Sequence, residues 1–216
     1  MTDFFTPERD RLGLRALLEE QKGLPMVLLI GDSISCGYTE GVMEGLRDVC
    51  NIRRAPDNCG DTRRGMKDLS LWVGDRKWEL IHFNWGLHDL CYRHPESKVY
   101  GNRDKERGTI SVPLEEYRAN LETLVVSLKT FCSKLIWAST TFIPPEEAGR
   151  FQGDDGRYNK VAAEIMSDHG VMINDLHKLT SEFPPELFSC PGDVHFTKEG
   201  SDRIAETVSH EIRRHL

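Results

Sequence analysis

Residues 26–35 read Met26-Val27-Leu28-Leu29-Ile30-Gly31-Asp32-Ser33-Ile34-Ser35. Five apolar residues in succession, admitted by Pro25 and closed by Gly31, suit a strand covered on both faces, as in a parallel sheet. A strand that turns through Gly-Asp-Ser into a helix carries a hydroxyl at its C-terminal end. Open α/β sheets hold their ligands there.

The same alternation recurs on either side of that stretch. Cys50–Arg54, Leu80–Trp85, Leu135–Thr140 and Val171–Ile173 read as further short strands. Between them lie helical stretches: Tyr38–Asp48, weakened by Gly41 and Gly45; one through Met66 and Leu69; and Arg157–His169. The longest has Leu114, Tyr117, Leu121, Leu124, Val125, Leu128 and Phe131 at helical spacing after Pro113, which suits a first-turn proline. A closing helix carries Ile204, Ala205, Val208 and Ile212, with Thr197 as its N-cap. Residues 1–24 are expected to contain a first helix bearing Leu14, Leu17 and Leu18. Five β–α units predict an α/β fold: a three-layer α/β/α, flavodoxin-like domain with a five-stranded parallel sheet in the order 2-1-3-4-5. With no repeat or linker, residues 1–216 read as one domain. Leu87–Val112 is long for a loop and holds His88, Arg93, His94, Lys98, Arg103, Lys105 and Arg107. A solvated surface loop is its plainer reading, and an anion-selecting lid is the alternative.

Composition narrows the function classes. Among 216 residues, 28 Lys and Arg stand against 35 Asp and Glu, a net charge of −7. Such a balance argues against nucleic-acid binding, which leaves a basic footprint. No apolar run approaches the ~18 residues of a membrane span. The first ten residues lack the basic and apolar regions of a signal peptide, so a cytoplasmic protein is expected. Six cysteines without a C-x-x-C pair read as buried thiols rather than a disulfide frame. His82, His88, His94 and Asp89 lie close in sequence but match no zinc spacing, so no metal and no cofactor are expected.

Four polar clusters fall at strand ends or just before the last helix: Gly31-Asp32-Ser33, Asn58-Cys59-Gly60-Asp61, Asn84-Trp85-Gly86-Leu87-His88-Asp89 and Gly192-Asp193-Val194-His195. Singly, each admits a structural role as a strand end, a turn or a helix cap. Jointly they supply what a serine nucleophile needs: a base (His195), a group to orient it (Asp193), and donors for an oxyanion. The Ser33 and Gly60 N–H groups and a side chain at Asn84 or His88 are the candidate donors. Trp85, beside them, is either a platform for a sugar ring or a core residue.

The four clusters resemble the four sequence blocks of the SGNH (GDSL-type) hydrolase superfamily, from about Pro25 to the last helix. The resemblance implies Ser33 as nucleophile and Gly60 as a backbone oxyanion donor. It aligns Gly86-Leu87-His88-Asp89 with a third block that reads Gly-x-Asn-Asp, so histidine stands at the asparagine position. His195 fits a fourth block reading Asp-x-x-His, with Gly192 at the aspartate position and Asp193 one residue later. The implied activity is hydrolysis of acyl esters, acetyl or short-chain, perhaps on carbohydrates, through an acyl-enzyme. A lysophospholipase- or thioesterase-like hydrolase and a catalytically weak binding module are the other readings. A flavin or nucleotide site lacks its Gly-rich phosphate loop.

Overall fold

A computed structural model describes residues 19–216. The first helix expected through Leu14, Leu17 and Leu18 lies outside the described residues. Five strands form one parallel sheet: β1 (Met26–Ile30), β2 (Asn51–Arg54), β3 (Leu80–Phe83), β6 (Leu135–Ala138) and β7 (Met172–Asn174). Their order is β2-β1-β3-β6-β7, the expected 2-1-3-4-5 for this sheet. Every residue of β3 and β6 is buried, whereas edge strands β2 and β7 are partly open, so the runs that are apolar but for His82 mark the centre.

The helices are α1 (Ser33–Gly45), α2 (Thr62–Val73), α3 (Leu114–Phe131), α4 (Asp154–Asp168), α5 (Leu176–Ser181) and α6 (Lys198–His215). Helix α1 packs on α6, while α2 packs on α3 and α3 on α4, giving one helical group per face of the sheet. Helix α4 begins three residues before the expected start, after Gly153, and α5 is a single short stretch too brief to show a period. No helix among the described residues is long and apolar enough to cross a membrane.

Gly41 and Gly45, which weaken α1 on propensity alone, have a tertiary reason. Gly37, Gly41 and Gly45 share a face with period four, opposite Ser201, Ala205 and Ser209 of α6. A Cβ at Gly41 would lie 2.7 Å from the Ala205 Cβ. Small residues on both sides let the two helix backbones approach closely. Gly41→Leu is therefore expected to cost about 1–3 kcal/mol through overpacking, read as a lowered urea midpoint; an unchanged midpoint would mean the seam has slack.

The stretch from Leu87 to Val112 is not a free loop. Leu87, Leu90, Cys91 and Val112 are buried, and β4 (Tyr92–Arg93) pairs antiparallel with β5 (Thr109–Ile110). Its tip, with Val99 and Tyr100, and the turn at Glu106 and Arg107 reach into solvent. All six cysteines are unbridged. Cys50, Cys59, Cys91 and Cys132 are buried as expected, but Cys190 is exposed, because it lies in the surface loop leading to Asp193.

Candidate active site

Asp32 caps α1, its Oδ1 accepting the Ile34 N–H at 3.0 Å. Ser33 is then the first helical residue. Its N–H has no carbonyl within the helix to receive it, and the helix N-terminus favours negative charge nearby. The α1–α6 seam brings the start of α6 to the start of α1. Thr197 caps α6, and the chain before it is pinned by Ser189 N–H donating to the His195 carbonyl (2.9 Å) and Thr197 N–H to the Leu187 carbonyl (2.8 Å). His195 thereby meets Ser33 across 162 positions of sequence, with Nε2 2.8 Å from the serine Oγ.

Asp193 completes the line. Its Oδ1 lies 2.6 Å from His195 Nδ1 and also accepts the His195 backbone N–H at 3.1 Å. The hydrogen bond from His195 holds the Asp193 carboxyl far below the usual carboxylate range, against a smaller opposing effect of burial. An anionic Asp193 can only accept, which places the imidazole proton on Nδ1. Nε2 is left to accept the Ser33 hydroxyl proton.

The one-residue shift of the aspartate also has a cause. Gly192 has φ +71, and a Cβ there would sit 2.8 Å from the Glu146 carbonyl oxygen. No side chain fits at that position. The carboxylate comes from the next residue and reaches the ring by bonding both the backbone and the side chain of His195.

The oxyanion candidates are placed unequally. The Gly60 N–H, at φ +60, donates to Asn58 Oδ1 at 2.9 Å and so already has an acceptor. Asn84 is buried; its amide donates to the Ala138 carbonyl at 2.7 Å, and its side chain lines a void of about 10 Å³ with Asp32, Tyr38 and Thr141. That void is water-sized and admits no substrate. His88 is half-buried. Burial foremost, then the charges of Arg150 and Arg93, pull its pKa down to about 4, opposed by Asp32 and Asp61. A neutral imidazole at pH 7 keeps one N–H to donate.

The remaining histidines and Trp85 are elsewhere. His82 is fully buried, edge-on to Tyr38, with Nε2 3.3 Å from Asn174 Nδ2. No group of three or more His, Cys, Asp or Glu among the described residues is arranged to hold a metal ion. Trp85 is fully buried against Trp72 and Phe83, so the sugar-platform alternative is withdrawn.

No protein-family model and no curated protein sequence matches the chain. Solved structures do. A lipase/acylhydrolase from Enterococcus faecalis superposes with a TM-score of 0.71 at 21% identity, covering 89% of this chain and 97% of that one. An acetyl xylan esterase, AlAXEase, gives 0.68 at 15% identity over 87% and 99%. An acetylxylan esterase from Geobacillus stearothermophilus gives 0.67 at 20% identity over 87% and 94%. The chain shares the fold of these structures.

Three side chains tie the polar clusters together; Arg54 and Arg150 carry no motif signal, whereas Asp89 stands in the third cluster itself. Arg54, at the end of β2, donates from Nη2 to the Gly31 and Asp32 carbonyls and Ser35 Oγ (2.9, 3.2 and 2.8 Å), and from Nη1 to the Ala55 and Asp57 carbonyls (2.7 Å each). It clasps the serine turn to the Gly60 loop. Arg150 Nε donates to the Leu87 carbonyl at 2.8 Å, steadying the segment that bears His88. Asp89 Oδ1 accepts both the Thr62 N–H (2.9 Å) and the Thr62 hydroxyl (2.5 Å), joining the third block to the start of α2.

Asp89 is fully buried, its Oδ2 has no partner, and burial pushes its pKa up to about 7 despite the Thr62 bonds. Its folded value lies above the unfolded value near 3.9. The stability it contributes is therefore complete below about pH 4 and is lost as the pH climbs through 7. Asp89→Asn keeps the acceptor and cannot ionise. The variant's stability relative to the native chain is expected to rise between pH 5 and 8 in urea denaturation; parallel profiles would show that Asp89 does not titrate in that window.

Proposed function

We propose that the protein is a serine esterase hydrolysing short-chain acyl esters, acetyl foremost, of small molecules or carbohydrates. The observation that carries the reading is the continuous hydrogen-bonded line from Ser33 Oγ through His195 to Asp193. In this mechanism Ser33 attacks the ester carbonyl as His195 Nε2 takes its proton; the imidazolium, held by Asp193, returns the proton to the leaving alcohol. Water then repeats the sequence to release the acyl group. The Ser33 N–H and a neutral His88 are the oxyanion donors favoured here, each worth ~10²–10³ in kcat. Gly60 joins them once the Asn58 side chain turns away from its N–H. Asn84, which lines a void too small for substrate, is left out.

The similarity of fold to a lipase/acylhydrolase and to acetylxylan esterases supports an acyl-ester substrate. The test is labelling with a serine-reactive fluorophosphonate together with rates over p-nitrophenyl esters of rising chain length and acetylated sugars. Labelling with a steep fall in rate beyond acetate is the expected result. A rise toward octanoate would favour a lysophospholipase-like enzyme, and no labelling at all a binding module.

A further inference from the structure

Three guanidinium groups and one carboxylate gather beside His88. Arg103 Nη1 and Arg150 Nη1 both donate to the same oxygen of Glu147, at 2.7 and 2.9 Å, and the Glu147 side chain is fully buried. Arg150 is only 5% exposed. Arg93 donates from Nε to Ser111 Oγ (3.2 Å) and from Nη1 to the Gly101 carbonyl, both neutral acceptors. Among the described residues Arg93 has no carboxylate partner. Three positive charges against one leave an excess of two, in a chain whose net charge is −7.

Among the described residues, no acidic group besides Glu147 forms an ion pair with these three guanidinium groups. Asp32 and Asp61, whose charges are felt at His88, cap α1 and α2 by accepting the Ile34 and Arg64 N–H groups. Asp104 pairs with exposed Arg107. A half-buried guanidinium bonded only to neutral oxygens, beside a buried one, is costly unless an anion completes it. The backbone holds the arrangement closely: a Cβ on Gly101 would lie 3.0 Å from Arg93 Nη1, and one on Gly149 would lie 2.8 Å from the Arg103 Cβ. Arg150 also donates to the Leu87 carbonyl beside His88, the side chain proposed above as an oxyanion donor, and the charges of Arg93 and Arg150 reach that ring.

We infer that the Arg93–Arg103–Arg150 cluster is an anion-binding subsite, and that the natural ester carries a carboxylate or phosphate group close to its scissile bond. The planar fork of arginine matches either anion in a bidentate contact. The ester part of this inference rests on the serine-esterase reading; the anion part does not.

Calorimetric titration of the native chain at low ionic strength, with glutarate and with inorganic phosphate, separates the two anions without requiring catalysis. Saturable binding of at least one is expected, weakened about tenfold in Arg93→Gln and less in Arg93→Lys, and eroded by added salt. Arg118→Gln, whose guanidinium pairs with Glu164 on the exposed face of α3 and α4, serves as the control. Kinetically, 4-nitrophenyl succinate should be hydrolysed at least tenfold more efficiently than its neutral isostere 4-nitrophenyl 4-methylpentanoate if the anion lies on the acyl side. If it lies on the alcohol side, acetylated glucuronate should be preferred over acetylated glucose by a similar factor. Binding of neither anion, or binding equally strong in both Arg93 variants, overturns the inference. Failure of the esterase reading would instead appear as a chain that binds the anion yet takes no fluorophosphonate label.

Discussion

Ser33→Ala is expected to lower kcat for p-nitrophenyl acetate by about four to six orders of magnitude and to abolish fluorophosphonate labelling. The hydroxyl makes one side-chain hydrogen bond, to His195, and is the atom that would become acylated. What survives its loss is the acceleration from binding and from oxyanion donors alone, typically ~10³-fold or more over water. The fold has little stake in the change. Ser33 is half-buried at the first turn of α1, and the cap that starts the helix belongs to Asp32. An unchanged melting temperature should accompany the loss of rate. A variant that folds normally and keeps its rate and its label would remove Ser33 from the chemistry.

The second large effect is graded along the hydrogen-bonded line. His195→Ala is expected to cost nearly as much as Ser33→Ala, because both remove the same proton transfer. Asp193→Ala should cost less, by about one to two orders of magnitude, since the imidazole remains a base without its orienting carboxylate. The loop geometry bears on this ordering. Asp193 grips both the ring and the backbone N–H of His195, so its removal frees the ring but leaves the loop held at Ser189 and Thr197. Steady-state rates of the three single variants decide the matter: equal losses would mean that the three residues act as one unit. Combining Ser33→Ala with His195→Ala should add almost nothing.

The sheet was legible because burial on both faces leaves an apolar run with no polar interruption, as in Met26–Ile30, or with a single buried one, as at His82 in Leu80–Phe83. The start of α6 was legible because a capping side chain, Thr197, announces it; α1 instead starts at Ser33, five residues before the expected Tyr38, because Asp32 caps it. Gly41 and Gly45 misled in energy though not in placement. Helix propensity records their cost and is silent about the partner helix that requires them. The pairing of Ser33 with His195 was readable only as a joint pattern of strand ends, since no local rule joins positions 162 apart. The positions of the donors were not readable. Whether an N–H such as that of Gly60 is free depends on one rotamer of Asn58, and whether Asn84 faces a cleft depends on how its strand leaves the sheet. Arg54 and Arg150 stayed hidden for a related reason: they act on backbone carbonyls 23 and 63 positions away, and carbonyls have no sequence.

The close fit of α1 on α6 does more than hold two helices together. It works as a ruler: the proposed nucleophile, Ser33, rides at the head of one rod and the proposed base, His195, just ahead of the other, so their separation is set by how far the rods can slide or spread. An ångström of added girth anywhere along the contact would be read out at the far end as a mistuned proton transfer. Natural variation along this face should accordingly come in compensating pairs, a larger residue on one rod matched by a smaller one opposite, even at positions remote from any substrate.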